Sequence, residues 1–407
     1  MSQKHVLVIS YFAGMVGFSP AEWLDDKVDS FVKLGHKITL VSALSSQKCT
    51  LPGVTHYRIP SLTVTDFGQE KKELQLSGRK VPFFTYLLYP LIYTLGFLID
   101  LMLKVFTQGV GGGRLSWIFT SAFTSIYLSL FKKVDIVFST GGAASSHVVA
   151  VAAGVIAKIP IIVELQDPLS GEGIGRNSRS AQLLGWVEHL VVKFSKKVVF
   201  VTESAAREAR EFYKTKNIVC IYPGSRKFTY SEMVPENKKF RFVHLGTLYS
   251  TRNFNTLIQA IDQLIDQKKI TTDEIELINQ GDIHGDYKTN YLSKSYFKQY
   301  PIRPRREAIE FCSSSNINLV VQHTDPRSST TIPYKLYDYM NLNKPILGLI
   351  NSEELKNLLA KHGHYSAQIN NVDDIAEKVL FLLRSKTFEN NQAAQIDAIE
   401  QAAELLK

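Results

Sequence analysis

The sequence predicts an α/β protein of two Rossmann-like domains, each a doubly wound parallel sheet, the pair facing a cleft. Three observations predict it. Short apolar runs alternate with segments of helical period along nearly the whole chain, with no internal repeat and no low-complexity region. The runs at residues 6–10 and 240–245 each lead into a glycine-bearing loop and then a helix, the opening of a nucleotide-type unit. At 407 residues, 45% hydrophobic and 21% charged, the chain is long enough for two full cores.

The first domain is expected over residues 1–225. Strand 6–10 leads to a loop carrying Gly14 and Gly17, then a helix over 21–34 that Gly35 ends, then strand 38–42. The loop is not Gly-x-Gly-x-x-Gly, so no dinucleotide is implied. Residues 60–80 are polar and basic. Residues 81–99 and 115–131 carry no charge and are rich in aromatics. The first run is long enough to span a bilayer. Strands before residue 60 and after 134 belong to one sheet, however, so the chain must return to the same side. An insertion at about 81–131 is therefore expected to lay aromatic surface in a membrane interface beside Arg79, Lys80, Lys104 and Arg114.

Strand 135–139 follows, then Thr140-Gly-Gly-Ala-Ala-Ser-Ser-His147 opening a helix, then strand 160–165 ending in Gln166-Asp167-Pro168. Asp167 sits at the carboxyl end of a parallel strand, where α/β proteins place ligands. His147 stands near a helix start and is a further candidate. A glycine-rich loop at 171–175, a helix through Trp186 and Glu188, strand 198–201, a helix to Tyr213 and strand 218–222 complete the domain. The polar stretch 227–239 reads as the linker.

The second domain is expected over 240–385. Gly246, after its first strand, lets backbone approach a phosphate, and Arg252 at the head of the next helix can hold phosphate oxygens. Strands at 276–279 and 317–321 follow, and Arg303, Arg305 and Arg306 read as a solvated helix start. The chain is organised around residues 328–347. Thr330 or Thr331 is expected to cap a helix with Pro333 in its first turn. Ile332, Leu336, Tyr339 and Met340 would face the core, and Thr331, Lys335 and Asp338 another side. A helix start and Lys335 suit a phosphate, and Asp338 suits a ribose diol. The tail, 386–407, reads as a helix expected to return to the first domain.

The formal charge of +9 and pI of about 9.2 favour acidic partners. No nucleic-acid module is present, which leaves a membrane surface and a diphosphate substrate. Cys49, Cys220 and Cys312 are far apart, so neither a disulfide framework nor a metal cluster follows, and a reducing compartment is expected. The opening runs straight into a strand without an h-region or cleavage site, so no signal peptide is expected.

The 328–347 stretch resembles the nucleotide-binding motif of the retaining GT-B glycosyltransferases of the GT4-like group. Asp338 falls at the second acidic position of that group's Glu-x7-Glu motif, and the first falls on Thr330, which is not acidic. Gly246 and Arg252 are similar to the group's Gly-Arg…Lys-Gly segment, with Thr247 at its arginine. Asp167-Pro168 resembles the Asp-x-Arg-Asp-Pro-Trp region of a branch that builds polysaccharides, with Gln166 and Leu169 as departures. The resemblance implies metal-independent hexosyl transfer, without a cofactor, from a nucleotide-diphosphate sugar on the second domain to a glycan or polyprenyl-diphosphate-linked acceptor on the first. It puts the Gly14/Gly17 loop at the acceptor, implies Arg252 and Lys335 on the diphosphate, and suggests a cytoplasmic enzyme peripheral on the inner membrane face. Two alternatives stand beside it. One is a nucleotide-sugar 2-epimerase using Asp167 and His147. The other is a non-catalytic, membrane-docked sugar-nucleotide-binding subunit.

Overall fold

The computed structural model describes residues 2–15, 19–44, 49–61, 83–107, 112–170, 179–229, 239–342, 344–385 and 396–407. Gly17, the 171–175 loop, Arg79, Lys80 and most of the expected linker lie outside them. The chain divides into two compact units, Met1–Tyr222 with Ala398–Lys407, and Pro223–Asp397.

Unit 1 runs β1 (His5–Ile9), α1 (Ser19–Lys33), β2 (Lys37–Ala43), β3 (Val54–Ile59), α2 (Phe83–Thr107), α3 (Gly112–Leu115), α4 (Trp117–Phe131), β4 (Ile136–Thr140), α5 (Ala144–Ala157), β5 (Ile161–Leu165), α6 (Arg179–Phe194), β6 (Lys197–Phe200), α7 (Glu203–Tyr213) and β7 (Ile218–Cys220). The sheet is parallel in the order β3-β2-β1-β4-β5-β6-β7. Alternation along β1 feeds two cores. Leu7 and Ile9 pack with residues of α4 to α7, and Val6 and Val8 with Leu24, Val28 and Phe31 of α1. The strand order reverses between β1 and β4, which opens a crevice beyond their carboxyl ends.

Helices α2 and α4 form the apolar stretch. Among the described residues no helix is long and apolar enough to cross a membrane. Helix α4 has an inverted build. Its buried side is small, with Ser121, Ser125 and Ser129 beside Trp117 and Leu128, which lets it lie close against α5. Its outward side carries Phe119, Phe123, Tyr127 and Phe131, all exposed. Trp117 Nε1 donates to the Ile59 carbonyl at 3.0 Å and Thr120 Oγ1 to the Pro60 carbonyl at 2.6 Å, so the helix is anchored to the end of β3.

Unit 2 runs β8 (Phe240–Leu245), β9 (Leu248–Tyr249), α8 (Asn255–Asp266), β10 (Ile275–Gln280), β11 (Ile283–His284), α9 (Tyr287–Leu292), β12 (Phe297–Tyr300), α10 (Arg305–Cys312), β13 (Ile317–Val321), a 3-10 turn (Pro326–Thr330), α11 (Lys335–Met340), β14 (Ile346–Ile350), α12 (Glu353–Lys361), β15 (Tyr365–Gln368) and α13 (Val372–Arg384). Its parallel sheet has the order β12-β10-β8-β13-β14-β15, with the reversal between β8 and β13. The final helix, α14 (Ala398–Leu405), belongs to unit 1, where Ala402, Leu405 and Leu406 are buried among Val6, Leu24 and Phe31.

Candidate functional site

In unit 2 the reversal point is occupied by Gly246. Its φ of +109° is in the region that disfavours side chains, and its N–H donates to the Gln280 carbonyl at 2.8 Å. A Cβ there would lie 3.1 Å from Lys335 Nζ, so the glycine leaves room for the ammonium. Lys335, the first residue of α11, donates to the Leu245 carbonyl and, at 2.8 Å, to His244 Nε2. On the other side of its ring, His244 Nδ1 is 2.7 Å from Asn279 Oδ1, and Asn279 Nδ2 donates to the Gly281 carbonyl at 2.9 Å. Burial first, then the positive charge of Arg252, holds Lys335 well below the usual lysine range. Burial and the neighbouring Lys335 likewise push His244 well down, so the imidazole is neutral.

Arg252 closes a tight turn after β9. Its N–H and that of Tyr249 exchange bonds at 2.9 Å, and its guanidinium lies 5.6 Å from the Tyr249 ring centroid. A second polar chain stands beside it. Thr251 Oγ1 donates to Asp325 Oδ2 at 2.6 Å and lies 2.8 Å from His323 Nδ1, while Tyr249 and His323 pack edge to face. Gln322, just past β13, donates to the Ser328 and Thr331 carbonyls at 3.0 and 2.9 Å and accepts from the Asn351 and Ser352 N–H groups at 3.1 Å. It thereby fixes the loop that presents α11.

The central stretch departs from the sequence expectation. Thr330 ends the 3-10 turn, Thr331 follows in irregular backbone, and neither caps α11, whose preceding residue is Tyr334. Tight bonds from Leu336 N–H to the Pro333 carbonyl and from Tyr337 N–H to the Tyr334 carbonyl form the first turn of the helix, which is only six residues long. Positive charge in this region therefore comes from the Lys335 and Arg252 side chains more than from a helix terminus. Asp338 faces elsewhere on α11. Its Oδ1 accepts from Ser225 Oγ and Arg305 Nη2, each at 2.6 Å, and Oδ2 from Arg305 Nε at 3.1 Å. Arg305 is not a solvated helix residue. Its guanidinium lies 5.0 Å from the ring centroids of both Phe228 and Tyr334.

In unit 1 the other described candidates, Gly14, His147 and Asp167, follow β1, β4 and β5 in turn. Gly14 turns with φ +70°. Tyr11 N–H donates to Ser146 Oγ at 2.9 Å, joining the β1 loop to α5. His147 is fully buried, with Nδ1 3.0 Å from Ser139 Oγ and Nε2 3.2 Å from the Gly141 carbonyl. Only an N–H can face a carbonyl, so Nε2 carries the proton and Nδ1 accepts. Burial lowers its pKa to about 4. Asp167 is exposed just past β5. The preceding Gln166 is held by Thr140 Oγ1 at 3.2 Å, and Thr140 donates to Glu164 Oε1 at 2.7 Å. Glu164 is paired with Lys27 at 2.7 Å, both fully buried. Beside Pro168 a cavity of about 350 Å³ opens between α6 and α7, lined by Phe200, Phe212, Tyr213 and His189 among others. At its wall Glu188 accepts from Ser170 Oγ at 2.6 Å and from the Leu169 and Ser170 N–H groups at 2.9 Å.

The structure thus brings Gly246, Lys335 and Arg252 together in unit 2, and it places Asp338 in a separate ion pair on the same helix. Sequence reasoning missed His244, Asn279, Gln322 and Arg305. A histidine and an asparagine on neighbouring strands carry no motif, and only the parallel register, which sets His244 opposite Asn279, pairs them.

No protein-family model and no curated protein matches the chain. Solved structures do. The chain is similar to Anabaena Alr3699/HepE in complex with UDP, with a TM-score of 0.61 and 13% identity over 100% of this chain and 98% of that one. It is similar to the lipopolysaccharide outer core galactosyltransferase WaaB in its apo form, with a TM-score of 0.60 and 11% identity over 99% of each chain. It is also similar to a candidate UDP-N-acetylglucosamine 2-epimerase from Listeria monocytogenes, with a TM-score of 0.56 and 11% identity over 100% and 95%. The two parallel α/β sheets are those of the GT-B fold.

Proposed function

We propose that the chain is a glycosyltransferase of the GT4-like group. It moves a hexose, with retention, from a nucleotide-diphosphate donor on unit 2 to a hydroxyl of a glycan or polyprenyl-diphosphate-linked acceptor on unit 1. The observation that carries the reading is Lys335 Nζ beside the Gly246 backbone, with Arg252 near enough to act on its charge. The likeness to HepE bound to UDP and to the galactosyltransferase WaaB supports it.

In this mechanism the bond from the anomeric carbon to the diphosphate oxygen breaks first. Lys335 and Arg252 stabilise the negative charge that collects on the leaving diphosphate. The acceptor oxygen bonds to the anomeric carbon on the same face, and its proton passes to a phosphate oxygen. Asp338 reaches the ribose by sharing a carboxylate that Arg305 already orients, and the Thr330–Thr331 backbone borders the sugar. Asp167, with Gly14, contacts the acceptor, and His147 acts by holding the Gly141 turn. The aromatic face of α4, with Lys104, Lys132 and Lys133 exposed nearby in sequence, rests on the anionic inner face of the cell membrane, where a lipid-linked acceptor for surface polysaccharide would be found.

The test is turnover on a panel of nucleotide sugars with membrane lipid extract as acceptor, comparing the wild type with Arg252→Ala. Transfer by the wild type and a loss of at least tenfold in kcat/KM in the variant are expected. Equal turnover by both would remove the site reading. The likeness to the Listeria protein favours a second reading, nucleotide-sugar epimerisation. Formation of an epimer without acceptor would select it.

A further inference from the structure

The arrangement around Lys335 goes one step deeper than the donor-site reading, on which it rests. An ammonium has three N–H donors. Two are placed, on the Leu245 carbonyl and on His244 Nε2, and among the described residues the third has no protein acceptor. His244 can accept only if Nε2 is bare, which requires its proton on Nδ1. That condition is met by Asn279. Its Nδ2 donates to the Gly281 carbonyl at 2.9 Å, which turns Oδ1 toward the ring at 2.7 Å, where it accepts from Nδ1–H. Gly281 is itself pressed on Gly246, because a Cβ there would come within 2.4 Å of the Gly246 carbonyl oxygen. The chain Gly281–Asn279–His244–Lys335 thus ends beside Gly246, the glycine on which Gly281 packs.

We propose that His244, held in its Nδ1–H form by Asn279, is the positioning residue of the donor site. It accepts one N–H of Lys335 and so aims the remaining one at the diphosphate of the nucleotide sugar.

The alternative for this histidine is a passive filler of the core, packed on Phe254 with ring centroids 5.4 Å apart. A filler would not need a fixed tautomer. Among the described residues, the charged and titratable groups coupled to Lys335 are Arg252 after β9, His244 on β8 and Cys312 on α10, with Asp338 and Tyr339 of α11 coupled in turn to Cys312. Arg252 and burial oppose its charge, and an acceptor at His244 Nε2 favours it. Removing that acceptor should therefore make Lys335 lose its proton at lower pH.

The experiment uses the full chain and the tightest binder among UDP, GDP, ADP, CDP and dTDP, with the matching nucleoside as control. His244→Leu is expected to weaken the diphosphate about tenfold and leave the nucleoside unchanged, as for loss of a charge-assisted contact. His244→Gln, which keeps an acceptor, is expected to restore most of the affinity. In His244→Leu the alkaline limb of turnover should move to lower pH. Asn279→Leu provides a second route, because it frees the tautomer without emptying the position. Nitrogen-15 NMR of the wild-type ring should show a proton on Nδ1 and none on Nε2. A proton on Nε2, or wild-type diphosphate affinity in a folded His244→Leu, overturns the proposal. If none of the five diphosphates binds the wild type, the donor-site reading falls, and this inference falls with it.

Discussion

Arg305 grips Asp338 with two nitrogens, Nη2 at 2.6 Å from Oδ1 and Nε at 3.1 Å from Oδ2, while their side chains are only 11% and 6% exposed. A buried pair of this kind is costly to break from one side, because the remaining charge is stranded. Arg305→Met is expected to destabilise unit 2 by about 3–5 kcal/mol. Asp338→Asn combined with Arg305→Met should recover part of that loss. Thermal unfolding of the single and double variants checks the order, and equal midpoints for wild type and Arg305→Met would contradict it.

Gly246→Ala combines two penalties. The backbone is at φ +109°, and the new methyl would sit 3.1 Å from Lys335 Nζ. A stability loss of about 1–3 kcal/mol is expected from the conformation alone. Donor affinity should fall further than stability does, because the displaced ammonium is the proposed phosphate contact. Calorimetric titration with the nucleoside diphosphate, compared with the melting curve, separates the two effects.

His147 gives unit 1 an acid sensitivity. Its pKa is lowered from 6.5 to about 4 by burial, so between those values the unfolded chain binds a proton that the folded chain does not. Stability is then full above about pH 6.5 and falls as pH drops toward 4, by about 3 kcal/mol in total. His364, on the other unit, is lowered to about 4 by burial and the nearby His362, and acts in the same direction. Denaturant midpoints measured from pH 7 to 4 should fall, and His147→Asn should flatten part of the slope.

Lys27 and Glu164 form an ion pair wholly inside unit 1, with side chains 2% and 0% exposed. Lys27→Met leaves Glu164 charged in the core and should cost about 3–5 kcal/mol. Lys27→Met with Glu164→Gln should be much milder, since Thr140 still donates to the second side chain. Because Thr140 also holds Gln166, the single variant should disturb the Asp167 turn and reduce turnover. Urea unfolding and acceptor kinetics of the two variants test this.

The outward face of α4 predicts lipid binding. Phe119, Phe123 and Phe131 are 62%, 79% and 67% exposed, and Phe97 of α2 is 61% exposed. Replacing Phe97, Phe119 and Phe123 by Asp should release the protein from phosphatidylglycerol vesicles with little change in melting. Unchanged sedimentation with the vesicles would argue against membrane contact.

Much of the fold was legible because its signals are local. The apolar run of β1, the period of α1 and the glycine after β8 each stand in a few consecutive residues. The start of α11 was misread because Thr331 and Pro333 have the composition of a cap, while Gln322 holds that loop in another shape from a different strand. Arg305 reads as solvated in the sequence because Arg303, Arg305 and Arg306 cluster as surface charges do. Its sandwich between Phe228 and Tyr334 joins residues far apart in the chain. Contacts set by register and loop tethering leave no periodic trace, and the polar chain around Gly246 and Lys335 is made almost wholly of them.

Helix α14 shapes how the protein is made. Its Ala402, Leu405 and Leu406 complete a core whose other members, such as Val6 and Phe31, leave the ribosome nearly four hundred codons earlier. The intervening 223–397 can form its own sheet in that interval. The opening half must wait with an oily groove along α1 until residues 398–406 have been made. Nascent chains stalled before residue 398 should therefore be held by chaperones through that groove, and release should come only once α14 has been made.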